Sequence, residues 1–380
     1  MGLQELRDKI KKASKGVHVS IMSESDIAKR DTWLPTPSYD LNRVLCGDFR
    51  KGLSTRTWTM IVGPEHSFKS SFMCLTVAAA QKMGYKVVVI DTEGAWDSSF
   101  VRRWGLDPEN VLFIYTPWVD EIKVALAQIL EDEGEKFAIV LDSIGGIDKV
   151  KILDDALDGD PKNDQGGLQK ELKPLYKLLL NIVKKKNSIA VSAGHFFGKP
   201  GQYGGAEDIG GGKAAKLLPD IIVSLKKEKI IKTEEKQKTV TGNKITAITL
   251  KNRIYPPFNE AEIQIDFING INRFAGLPNI AVKAGIIKKG GAGWFTYVDP
   301  DGNERKYQGE EKLNVIFEEY EDKIISQLNE WIQKEGFSSV NENLKTAYEQ
   351  EETLKSEDLE PAEIPETVEE ETKRGRKKKD

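Results

Sequence analysis

Gly63, Lys69 and Ser70 stand at the spacing of the G-x-x-x-x-G-K-[ST] pattern, within the run Gly63-Pro64-Glu65-His66-Ser67-Phe68-Lys69-Ser70-Ser71. In such a loop backbone N–H groups wrap phosphates, the lysine reaches the outer ones, and the hydroxyl holds Mg2+. Phe68 stands where the pattern has its second glycine. A Cβ there is penalised wherever φ must be positive or the backbone must approach a ligand closely, so the bare pattern fails at this position. The flanks argue for it: Trp58–Val62 reads as a strand entering the loop and Ser71–Met83 as a helix leaving it, its N-terminus aimed at the phosphates. A Gly-Pro turn before a helix that happens to start Lys-Ser is the competing reading.

Two carboxylate sites bear on that choice. Phe137–Leu141 is a continuous apolar run, as in a strand buried on both faces, and it ends in Asp142. An acid at the carboxyl edge of a sheet, where ligands bind in open α/β folds, can orient Mg2+ and its waters. The run Val87–Ile90 delivers Asp91 and Glu93 to the same edge. Hydrolysis needs a base or orienter for the attacking water, and Glu93 is the candidate. A strand-end acid that only caps a helix is the alternative for each.

These residues need a frame, and the sequence supplies one. Short β-branched or aromatic runs, Trp58–Val62, Lys86–Ile90, Val111–Tyr115, Phe137–Leu141, Ser188–Ser192, Ile221–Leu225 and Ile245–Leu250, are separated by helical patterns. The predicted fold class is α/β, a P-loop type core with a mostly parallel central sheet flanked by helices. Ile245–Leu250 and Ile263–Phe267 follow each other without a helix, which predicts an antiparallel extension at one edge. Leu3, Leu6, Ile10 and Ala13 put a small helix at the N-terminus, and the polar Ile21–Pro37 reads as a linker. The expected organisation is residues 1–35 as helix and linker in contact with a neighbouring protomer, 36–271 as the core, 272–340 as a small α/β lobe with a helical stretch at Leu313–Ile332, and 341–380 as a disordered tail.

Bulk properties narrow the class. The 380 residues are 39% apolar and 31% charged, as in a soluble globular protein. No apolar run approaches the roughly 20 residues of a membrane helix, so a cytoplasmic location is expected. Cys46 and Cys74 form no metal or disulfide pattern and read as free thiols. The net charge is −4, but Glu349–Asp380 holds twelve acidic and seven basic residues, a balance of −5, which leaves the body at +1. Overall acidity therefore does not exclude a phosphate-binding groove.

With these motifs in order, Thr36–Gln308 resembles the RecA recombinase family. Gly63-Pro64-Glu65 followed by Lys69-Ser70-Ser71 is similar to the family's phosphate loop, and Phe68 is similar to the Ser-Phe-Lys-Ser loop of the phage UvsX type. Ile90–Phe100 resembles the segment whose glutamate activates water; carried across, Glu93 is the base while Asp97 and Phe100 contact adenine. Ser188–His195 looks like the strand ending in the γ-phosphate sensor, which makes His195 that sensor. Phe196–Lys213 looks like the second DNA loop, with Phe196, Phe197, Lys199, Tyr203, Gly211, Gly212 and Lys213 as its contacts, because rings stack on bases and lysines neutralise phosphates. The first DNA loop falls by position at Asp154–Gly167. Lys251-Asn252-Arg253 resembles the segment whose cations reach the neighbouring subunit's ATP, and Phe267 lies where an aromatic packs near adenine across the interface.

The resemblance implies a DNA-dependent ATPase that takes ATP and Mg2+, polymerises as a helical filament on single-stranded DNA, and pairs it with homologous double-stranded DNA in recombination and repair. It also implies single-strand-binding and loader proteins as partners, and no membrane. A RecA-fold hexameric motor or regulatory ATPase, and a paralogue that binds ATP without hydrolysing it, stay open at this point.

Overall fold

The computed structural model describes residues 2–14, 17–150, 165–197, 208–234, 237–309 and 312–335. Its centre is built from the apolar runs. Strands β1 (Thr57–Val62), β2 (Lys86–Asp91), β3 (Val111–Tyr115), β4 (Phe137–Asp142), β5 (Ile189–Gly194), β6 (Ile221–Glu234), β7 (Gln237–Asn252), β8 (Glu260–Asp266) and β9 (Gly270–Asn272) form one nine-stranded sheet. The order is β9-β8-β7-β6-β1-β5-β4-β2-β3. From β6 to β3 neighbouring strands are parallel, and β7, β8 and β9 add on antiparallel, as the sequence predicts.

Every residue of β1, β4 and β5 is buried, because helices cover both faces there. Side chains alternate between faces along a strand. Ile61, Val87, Val140 and Val191 point to one face, where they pack with Leu41 and Leu45 of α2 (Tyr39–Cys46) and Phe72, Met73 and Val77 of α3 (Lys69–Lys82). Met60, Val62, Val88 and Ile139 point to the other, against Ile122 and Leu126 of α5 (Val119–Glu131) and Leu175 and Leu179 of α6 (Gln165–Lys185). The short α4 (Ser98–Arg103) follows β2, and α7 (Gly212–Leu217) precedes β6.

A third cluster gathers Phe274, Leu277 of α8 (Leu277–Lys283), Phe295, Tyr297, and Leu313, Ile316 and Phe317 of α9 (Leu313–Glu319) around the antiparallel β10 (Ile287–Lys289), β11 (Trp294–Val298) and β12 (Glu304–Gln308). Phe49, far earlier in the chain, is fully buried in the same cluster, and its backbone N–H donates to Asn329 Oδ1 at 2.9 Å.

Some elements depart from the sequence reading. The strand after Ile221 runs on to Glu234 and its partner starts at Gln237, so a long hairpin replaces two short strands. Cross-strand pairing carries the polar Lys226–Glu234 segment, which has no apolar alternation of its own. Within the expected linker, Trp33–Leu34 pairs with Leu53–Ser54, and Leu34 is buried. The helical stretch at Leu313–Ile332 breaks at Tyr320 and resumes as a helix at 321–335. Helix α1 (Leu3–Ala13) forms as predicted, but none of its residues is buried, and Leu3, Leu6 and Ile10 face solvent. No helix of the described residues is long and apolar enough to cross a membrane. Both thiols are free; burial pushes the Cys46 thiol up to about 11 and the Cys74 thiol to about 12. A thiol so far from ionisation is a poor nucleophile.

Candidate functional site

The carboxyl ends of β1, β2, β4 and β5 meet at one side of the sheet, and the chain leaving each carries a residue singled out above. A cavity of about 970 Å³ opens there. Glu65, His66, Ser67, Phe68, Lys69, Ser70 and Ser71 form its floor, and Glu93, Asp142, His195 and Phe267 stand on its walls.

The phosphate loop is shaped by close approach. Gly63 has no room for a side chain: a Cβ would come within 2.6 Å of Leu225 O and 2.7 Å of Ser67 Oγ. Lys69 is buried, and its Nζ donates to Gly63 O at 3.0 Å and Pro64 O at 2.7 Å. Burial draws its pKa below the ordinary lysine value, against the pull of Asp142, Glu93 and Glu65. Ser67 Oγ is buried without a hydrogen-bond partner, a donor left over for a ligand oxygen.

Phe68 caps α3 in the left-handed conformation, φ 81° and ψ 10°, so the pattern's demand for a glycine-like backbone is met by a residue that resists it. That conformation costs on the order of 1–2 kcal/mol for an L-residue. Its ring packs against the apolar core and meets Trp104 edge-on, with ring centroids 5.3 Å apart and planes at 79°. Partial burial of a phenyl ring plus an aromatic pair contributes about 2 kcal/mol, enough to offset the dihedral cost.

Asp142 is buried and accepts hydrogen bonds from Ser70 Oγ at 2.7 Å and Trp96 Nε1 at 2.8 Å. Burial pushes its carboxyl up, and those two donors oppose the shift. A hydroxyl and a carboxylate oxygen side by side fit Mg2+, a hard cation that takes few protein oxygens and completes its shell with water and phosphate. Among the described residues no cluster of three or more His, Cys, Asp or Glu is placed to hold a metal by itself.

Asp91 is fully buried and accepts from the backbone N–H groups of Glu93 at 3.0 Å, Gly94 at 2.8 Å and Trp96 at 3.0 Å. It builds the turn that aims Glu93. The Glu93 carboxylate accepts from Ser143 Oγ and lies 3.6 Å from His195 Nε2. His195 in turn starts the Phe196–Lys213 segment, and Gly210 N–H donates back to His195 O at 3.0 Å, closing the base of that segment.

The segment is more regular than a bare loop. Phe196–Phe197 pairs with Asp208–Ile209, and α7 begins directly after Gly211, with Gly212 and Lys213 in its first turn. Lys199, Tyr203 and most of the first DNA loop, residues 154–164, lie outside the described residues. Lys251 and Arg253 do not face this cavity. Lys251 Nζ donates to Leu217 O at 2.6 Å and Lys216 O at 3.2 Å, while Arg253 bonds Leu217 O and the buried Asp220 carboxylate.

Asp97 and Phe100 are not on the cavity wall: Asp97 caps α4 through Ser99 and Phe100 N–H, and Phe100 packs edge-on against Trp96. Phe267, in the turn between β8 and β9, lines the cavity of its own chain. Sequence reasoning missed Arg103, Trp104, Lys227 and Asn243 on the wall. Their positions depend on where α4 and the long hairpin lie, which no local pattern states. Ser143 was findable, since it adjoins Asp142.

Comparison with known proteins agrees with this geometry. The RecA N-terminal domain family matches residues 4–272. Protein RecA of Chloroherpeton thalassium is 31% identical over 275 residues, covering 71% of this chain and 73% of the relative. Protein RecA of Chlorobaculum tepidum is 32% identical over 272 residues, covering 71% and 75%. Protein RecA of Mycoplasmopsis pulmonis is 31% identical over 309 residues, covering 77% and 84%. With Lys69, Ser70, Glu93, Asp142 and His195 assembled around one cavity at the sheet edge, and with the family matching residues 4–272, the chain belongs to the RecA family.

Proposed function

We propose that the chain is a RecA-type recombinase: a DNA-dependent ATPase that assembles as a helical filament on single-stranded DNA and promotes homologous pairing and strand exchange with duplex DNA. The observation that carries this reading is the convergence of Lys69, Ser70, Glu93, Asp142 and His195 on one cavity, with the proposed DNA segment starting at the residue after Glu93's neighbour His195.

In this reading Lys69 exchanges its two carbonyl partners for the outer phosphates of ATP, and the N–H groups of Ser67–Ser71 wrap the rest. Ser70 and Asp142 would hold Mg2+, which when bound would supply neutralisation of the phosphate charge. Glu93, held by Ser143, takes the proton of the attacking water. His195 reports on the outer phosphate and passes its state to Phe196–Lys213, whose rings and lysines meet DNA. Phe267 covers the base.

Lys251 and Arg253 serve the neighbouring subunit's ATP. Their position away from their own cavity, on the exposed end of α7, supports this. Mixing Lys69→Ala protein with Lys251→Ala/Arg253→Ala protein is therefore expected to restore ATPase activity that neither has alone, each supplying the half-site the other lacks. A mixture no more active than the sum of its parts would remove the cations from the catalytic site.

The exposed apolar stripe of α1 supports residues 1–35 as a contact with the next protomer. The body, 36–271, then carries catalysis, and 272–340 a small lobe. Phe68 supports placement with the phage UvsX type, with single-strand-binding and loader proteins as partners in the cytoplasm of the infected cell. Strand exchange tests the whole: linear duplex and circular single strand should yield joint molecules with homologous but not heterologous duplex, in ATP and Mg2+. ATPase activity without joint molecules or filaments would sink the recombinase reading.

A further inference from the structure

We propose that Trp104 is a positioning residue of the phosphate loop, holding Phe68 in the left-handed conformation that sets the direction of Lys69 and Ser70. This goes beyond the roles given above and rests on the reading of Lys69 and Ser70 as the phosphate site.

The argument begins with the dihedral angles. Phe68 at φ 81° is the N-cap of α3, no side chain caps the helix there, and the first helical hydrogen bond runs from Phe72 N–H to Phe68 O at 2.9 Å. The peptide plane between Phe68 and Lys69 is thus fixed by the Phe68 backbone. A return to an ordinary φ would rotate that plane and start the helix elsewhere, shifting Lys69 and Ser70 with it. Glycine holds such an angle without penalty; phenylalanine holds it only if its ring is held.

Two surfaces hold the ring. One is the buried cluster that includes Phe72 and Ile263, against which the Phe68 ring packs. The other is Trp104, which closes the cavity side with its ring edge-on to Phe68. Trp104 is itself fixed: it ends α4, its N–H bonds Val101 O, and its ring packs on the core. It belongs to a different element from the loop, so it can fail while the loop's own residues remain. The pair does by packing what a glycine does by lacking a Cβ.

The test is a double-mutant cycle on the full chain. Trp104→Ala is expected to raise the KM for ATP and the dissociation constant of a fluorescent ATP analogue about tenfold, and to lower kcat severalfold as well, because a misaimed Lys69 also serves the charge that develops during hydrolysis. Trp104→Phe, which keeps an aromatic edge, should restore most of the affinity. In a Phe68→Gly background, Trp104→Ala should have no further effect on nucleotide affinity, although melting temperature falls with each ring removed. If Trp104→Ala unfolds, Trp104→Leu, which keeps apolar bulk without the ring, carries the same cycle.

Equal losses of affinity in both backgrounds would overturn the proposal by placing Trp104 on the nucleotide directly, and a fall in melting temperature with unchanged KM would overturn it by making the contact merely structural. Lys69→Ala binding of the same analogue separates the two readings: if affinity is unchanged there, it is the phosphate site that is wrong rather than the clamp.

Discussion

Replacing Lys69 with alanine is expected to lower DNA-stimulated ATP hydrolysis by roughly a hundred- to a thousandfold, the range found when one preorganised donor to developing charge is removed. The structure gives the reason for so large an effect. The ammonium is buried, and its present partners are two neutral carbonyls of its own loop, Gly63 O and Pro64 O. An ATP phosphate is a stronger partner for a desolvated cation than either carbonyl, so in the proposed function the ammonium exchanges them for the nucleotide. The same substitution should abolish filaments on single-stranded DNA seen by electron microscopy in ATP. Steady-state ATPase within tenfold of the parent, at saturating ATP, would show that Lys69 does not carry phosphate charge.

The second large effect is expected at Glu93, and it should fall on chemistry alone. Glu93→Gln removes the only proton-accepting group of that side chain while keeping its size and its acceptor oxygen for Ser143 Oγ. General-base catalysis contributes about a hundred- to ten-thousandfold, and kcat should fall in that range. ATP affinity should stay within a few fold, because the proposed function assigns the phosphate contacts to the Gly63–Ser70 loop and not to Glu93. Filaments formed in ATP should consequently persist longer than those of the parent, by light scattering after dilution. A parallel rise in KM with little change in kcat would assign Glu93 to binding instead.

The two substitutions also mark what a sequence can and cannot disclose. Lys69, Asp142 and Glu93 were legible because each follows a run of buried β-branched residues, and topology sends the ends of such strands to one edge. The mostly parallel sheet and its antiparallel side followed from the same runs, whereas the strand order did not. What was illegible depends on long-range placement. The hairpin of β6 and β7 extends through charged residues that pair because their neighbours pair, not because of their own pattern. Trp104 reads as one more apolar residue near a glycine, and only the fold sets it against Phe68. Asp97 shows the converse: its motif position is clear, yet in the structure its carboxylate is spent on capping α4.

The burial of Phe49 has a consequence in time. Its backbone waits for Asn329, 280 residues further along the chain, and its ring for the aromatic residues of the third cluster. At synthesis rates of about 5–20 residues per second, that wait is roughly 15–55 s on the ribosome. Throughout it, the segment just before the phosphate loop presents an unpaired phenyl ring to everything else in the cell. A nascent chain of this protein is thus most in need of protection at a point long after its nucleotide loop has been made.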